Sequence, residues 1–110
     1  MIQERIEQIE SKIQSSPHVP EETKRELLLL LGTLRTEAGE LAATHPENAQ
    51  RLAQFTGVTA DEAIREETRP EVMQPAVQGL TSSVEELETS HPKITAAVNR
   101  LAVILSNMGI

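Results

Sequence analysis

Apolar residues recur along the chain in four stripes of one rhythm. Ile2, Ile6, Ile9 and Ile13 step by four, three and four. Leu27, Leu31, Leu34, Ala38 and Leu41 continue the same alternation, as do Met73, Val77, Leu80, Val84 and Leu87, and then Ile94, Val98, Leu101, Leu105 and Met108. Steps of three and four keep each stripe on one face of a helix, at the mean spacing of coiled-coil packing. No segment alternates at period two with β-branched residues, so strands are not expected. The pattern predicts an all-α protein: helical hairpins forming a bundle, with helices over about residues 2–15, 20–44, 46–56, 59–68, 76–90 and 92–108.

The breaks between stripes agree. Ser15 to Pro20 separates the first two helices, and Pro20 suits a first helical position with Glu21 and Glu22 near the positive helix end. His45-Pro46 and His91-Pro92 each interrupt a helical pattern and begin another, because proline disfavours helical geometry in the residue before it. Gly57 is expected to end a short middle helix. Thr59-Ala60-Asp61-Glu62 reads as a capping box opening the next one. Pro70 and Pro75 bracket the entry to the fourth stripe, which should become helical after Pro75. Gly109 fits a C′ position, with Ile110 folding back on the last turn; a docking tail at Met108-Gly109-Ile110 is the other reading of that end.

The second and fourth stripes superpose at an offset of 46 residues. Leu27, Leu31, Leu34, Ala38 and Leu41 fall on Met73, Val77, Leu80, Val84 and Leu87, and Thr44-His45-Pro46 falls on Ser90-His91-Pro92. The offset is not a multiple of seven, so a shared heptad frame does not by itself create the match. A duplicated helix–His-Pro–helix unit (20–57 and 66–110) inside a single domain, 1–110, is one reading; coincidence among helical stripes is the other.

The residues Leu87-Glu88-Thr89-Ser90-His91-Pro92-Lys93-Ile94, followed by Val98-Asn99-Arg100-Leu101-Ala102 and Leu105-Ser106-Asn107-Met108-Gly109-Ile110, resemble a small bacterial family known only as a domain of unknown function, number forty-four-zero-four. The resemblance is good over residues 80–110, loose over 20–44, and has no counterpart for 45–75. It implies a short helical bacterial protein and transfers no activity and no catalytic residue.

Composition narrows the function. The chain has 110 residues, 17 acidic and 10 basic side chains and a net charge of −7. A chain this short buries only about two thirds of its unfolded surface. With one Phe and no Tyr or Trp, aliphatic side chains must fill the core. The lack of stacking rings and the negative charge both argue against nucleic acid. There is no Cys, hence no disulfide, thiolate metal site or Cys nucleophile. No apolar run is long enough to span a bilayer and no signal peptide is evident, so a cytoplasmic location away from membranes is expected. Residues 70–91 carry four acids and no base, and 92–110 carry Lys93 and Arg100 and no acid. That asymmetry predicts a C-terminal hairpin with oppositely charged flanks.

Candidate chemistry is sparse. Glu88-x-x-His91 has the spacing used in di-iron carboxylate bundles, but such a site needs two copies and two further glutamates, so Glu88 and His91 stand as weak metal candidates beside the plainer reading of His91 as a cap. His18, His45 and His91 all lie in bends near proline. Asp61, Glu62, Glu66 and Glu67 read as a solvated helix face. No phosphate-cradling glycine loop is present. An enzyme is not expected, nor is a cofactor. Leu27-Leu28-Leu29-Leu30-Leu31 is the most informative feature: at about 100° per residue, five consecutive leucines go all the way round a helix, while a hairpin helix needs one stripe. Either the chain's own helices surround them, or a second surface covers some of them. The expected interface is therefore Ile2, Ile6, Ile9, Ile13, Leu27 to Leu31 and Leu34, in a homodimer or higher oligomer or against a protein partner. The expected role is a non-catalytic interaction or structural protein. The alternatives are a metal- or small-molecule-binding bundle and a regulatory accessory subunit of an enzyme.

Overall fold

The computed structural model describes residues 2–108. Five α-helices and one 3₁₀ turn follow one another: α1 (Ile2–Gln14), α2 (Glu21–Thr44), α3 (Pro46–Ala63), α4 (Pro70–Ser82), the turn Glu85–Leu87, and α5 (Pro92–Met108). No strand occurs among the described residues. The all-α class is as the stripes predict. α2, the longest helix, is the spine: α1, α3 and α5 all pack against it, and α4 closes the bundle against α3 and α5.

Each stripe becomes a buried seam. Ile6, Ile9 and Ile13 of α1, Leu27, Leu31, Leu34, Ala38 and Leu41 of α2, and Ile94, Val98, Leu101 and Leu105 of α5 all belong to one core, joined by Leu52 of α3 and Leu80 of α4. Val19, in the connection between α1 and α2, is also buried and anchors that loop. At the helix starts and ends, sequence rules act directly. α2 begins after Pro20 with Glu21 and Glu22 in its first turn, where negative charge favours the helix. It ends at Thr44, because Pro46 keeps His45 out of helical geometry (φ −137°, ψ 68°). α3 then starts at once with Pro46 in its first turn.

Three expectations are corrected. First, the helices predicted over 46–56 and 59–68 are one helix, α3, ending at Ala63. Gly57 is not a terminator: no glycine among the described residues has positive φ, and Gly57 is buried beneath α1, where a Cβ would meet the Arg5 guanidinium at 3.4 Å and Ile9 at 3.8 Å. Those are ordinary van der Waals distances, so the position demands glycine neither for a turn nor for close approach. Thr59 is likewise no cap; it is buried, and its Oγ1 donates to the Phe55 carbonyl at 2.6 Å. Second, the helix expected over 76–90 runs from Pro70 to Ser82, with Pro75 inside it. Val84 and Leu87 still reach the core, but from an irregular segment and the 3₁₀ turn. Third, the opposite charges at the C-terminal end do not pair with each other. Among the described residues no ion pair joins 70–91 to 92–108; Arg100 instead meets Glu26 of α2, Nε to Oε2 at 2.9 Å. The predicted cap at Gly109 and Ile110 lies outside the described residues.

Candidate functional site

α2 divides its five consecutive leucines by angle. Leu27 and Leu31 are fully buried, Leu28 and Leu30 are half-buried, and Leu29 is 72% exposed. The interface expected from sequence is thereby cut down. Ile6, Ile9, Ile13, Leu27, Leu31 and Leu34 are buried in the chain's own core and offer nothing to a partner. Ile2 and Leu30 are half-buried against that core. Leu28 and Leu29 remain, facing a shallow groove with Gly32, Thr33 and Thr36 on the same helix and Lys93 at the start of α5. A Cβ on Gly32 would meet nothing within 4 Å. The two threonine hydroxyls are already spent on the helix, Thr33 Oγ1 donating to the Leu29 carbonyl (3.3 Å) and Thr36 Oγ1 to the Gly32 carbonyl (3.0 Å). The strip therefore makes few polar demands of its own, and charges stand at its edges: Arg35, Glu37 and Lys93.

Glu62 departs from the expected solvated face. Its side chain is 2% exposed and closes the α3–α4 connection. Oε2 accepts from the Arg69 backbone N–H at 2.7 Å, the Arg69 guanidinium donates to Oε1 at 2.8 Å, and Arg65 approaches at 3.6 Å. The Arg69 hydrogen bond holds the carboxyl below the usual carboxylate range, outweighing the opposing effect of burial. Sequence could not separate Glu62 from Asp61 and Glu66 because acids clustered at a helix end look alike; only the inward turn of α3 toward Arg69 distinguishes it.

A broad groove lies where the α1–α2 connection, the α3–α4 connection and the end of α5 converge. Its polar lining includes His18, Glu26, Arg65, Glu66 and Arg100. Arg100 is engaged with Glu26 and Arg65 with Glu62.

The two His-Pro dipeptides, far apart in sequence, come together. His45 and His91 each immediately precede a helix, and their rings pack edge to face with centroids 5.5 Å apart and planes at 88°. The expected partnership of His91 with Glu88 does not extend to a carboxylate cluster: Glu88 is exposed, and no group of three or more His, Asp or Glu side chains able to hold a metal occurs among the described residues. The 46-residue offset aligns the two His-Pro dipeptides in sequence, but it carries no sign that their rings meet.

No helix among the described residues is long and apolar enough to cross a membrane. A family model described as Domain of unknown function (DUF4404) matches residues 31–110. The match runs through residues 45–75, for which the sequence resemblance had no counterpart. Neither a curated protein nor a solved structure matches the chain.

Proposed function

From the premise that this chain belongs to the family of Domain of unknown function (DUF4404), we propose that it is a non-catalytic interaction protein that associates with a second copy of itself through the outer face of α2. The observation that carries the reading is Leu29, 72% exposed beside half-exposed Leu28 on a helix whose other leucines are buried in the core or packed against it. Covering a leucine stabilises by about 1.5–3 kcal/mol, so two copies meeting at this strip remove a recurring loss from each. Gly32 lets a facing helix approach closely, and the flanking charges of opposite sign, Lys93 and Glu37, give a twofold-related copy opposite partners at the rim, while Arg35 is held by Glu10 at 2.8 Å.

The non-catalytic part rests on how the ionisable groups are engaged. Catalysis calls for an acid or base tuned toward working pH within reach of a substrate. Glu62 is displaced in the other direction and bound on both oxygens. The arginines of the broad groove are paired with glutamates.

Solution mass by light scattering tests the association, read by refractive index because the chain has no Trp or Tyr. The natural protein is expected to run as a dimer. The double variant Leu28→Gln, Leu29→Gln is expected to run near 12.1 kDa with its helicity kept, because neither side chain is part of the buried core. A natural chain already at monomer mass, or a double variant with unchanged dimer mass, overturns the proposal.

A further inference from the structure

We infer that His45 and His91 together form a two-imidazole site for a late divalent transition ion, with Zn(II) as the probe. Imidazole nitrogen suits zinc, copper and nickel. With a metal–nitrogen distance of about 2 Å, two rings on one tetrahedral ion stand on the order of 5 Å apart, centre to centre. The two ring centroids here are 5.5 Å apart, close to that separation.

A second observation prepares His45 for this role. The Thr44 hydroxyl lies 3.1 Å from the Glu40 carbonyl and 2.8 Å from His45 Nδ1. The hydroxyl has a single proton; in the tautomer where the helix carbonyl accepts it, His45 Nδ1–H donates to Thr44 Oγ1 and the lone pair lies on Nε2, and this is the tautomer the site requires. An imidazole whose other nitrogen donates to an oxygen is the arrangement found behind metal-ligating histidines, where it fixes both tautomer and ring orientation. Among the described residues the His91 ring makes no hydrogen bond that would have to break.

The surroundings set the kind of site. Glu47 and Glu88, each within three residues of one of the histidines, contribute negative charge, while Lys93 and the N-terminal ends of α3 and α5 oppose a cation. With only two protein ligands, water completes the coordination, and the ion exchanges readily. Binding joins the α2–α3 junction to the start of α5, two points 46 residues apart, and so stabilises the folded chain by linkage. This site is separate from the leucine strip, and neither proposal depends on the other.

The test is titration of the full-length, ¹⁵N-labelled chain with zinc chloride, following the ring resonances of its three histidines. His45 and His91 are expected to shift together and saturate at one equivalent while His18 stays in place. His45→Asn and His91→Asn keep a residue suited to a helix N-cap and are checked for folding by circular dichroism. Each is expected to lower affinity by about a hundredfold, since the second ligand otherwise binds at high effective concentration. Thr44→Val, which releases the tautomer, is expected to weaken binding by about tenfold. The inference is overturned if neither ring moves below millimolar zinc, if the two rings saturate independently, or if either single variant binds as the natural chain does.

Discussion

At Gly79 and Gly32 the same substitution has opposite expected signs, because the surroundings differ. A Cβ on Gly79 of α4 would overlap the ring carbons of Phe55, on α3. Gly79→Ala is therefore expected to lower stability by about 1–3 kcal/mol through overpacking, against a helix-propensity gain of about 1 kcal/mol. At Gly32 nothing opposes the added methyl, and Gly32→Ala is expected to raise the stability of the single chain by about 0.5–1 kcal/mol. Urea unfolding of both variants at low protein concentration checks the pair. Glu62 supplies a pH dependence of definite sign. Its folded pKa is depressed, so its contribution is present above an unfolded value of about 4.3 and is lost as pH falls through the lower folded value. Glu62→Gln is expected to lower stability at neutral pH by about 1–3 kcal/mol, the scale of hydrogen bonds to a charged group. It should also flatten the decline in stability below pH 5. A variant whose acid unfolding matches that of the natural chain would contradict the assignment.

The same separation between what neighbours decide and what a helix decides alone runs through the elements. α1, α2 and α5 were legible from spacing, because their stripes, caps and proline stops all lie within one turn of the residues concerned. α3 was divided in two by a local rule: Gly57 and Thr59-Ala60-Asp61-Glu62 carry the marks of a stop and a start, yet α1 lies across Gly57 and the core takes Thr59. Those reasons are tertiary and leave no local mark. The irregular stretch after Ser82 was missed for the converse reason. Val84 and Leu87 keep the apolar register of a helix although the backbone has left it. α1 presents a testable case of dependence. Thirteen residues form a marginal helix in isolation, so its order comes from Ile6, Ile9 and Ile13 packing on α2 and α3. Ile6→Ala is expected to destabilise by about 2–5 kcal/mol. By hydrogen exchange, the amides of Ile2–Gln14 should lose protection before those of α2 and α5.

For the whole molecule, the Cα radius of gyration is 12.8 Å, against about 13 Å for a globular chain of this length. One chain therefore encloses its own core. Association through α2 would add to a finished fold, and the Leu28→Gln, Leu29→Gln chain is expected to scatter with a radius close to that of a single copy. The same holds for the leucine run, which was legible only in part. Five leucines in a row announced a surplus of apolar surface, but how much of it the molecule consumes internally depends on α1 and α5 flanking α2, which no single stripe encodes. Family membership, by contrast, was already written in the residues from Leu87 onward.

Phe55 against Gly79 has an optical consequence. It is the chain's one phenylalanine, and there is no tyrosine or tryptophan. The near-ultraviolet circular dichroism of its ring is thus a single-site report on whether α3 and α4 are in contact. Loss of that fine structure while far-ultraviolet helicity persists would mark α4 lifting from the bundle. In a mixture, every tryptophan signal belongs to the other protein.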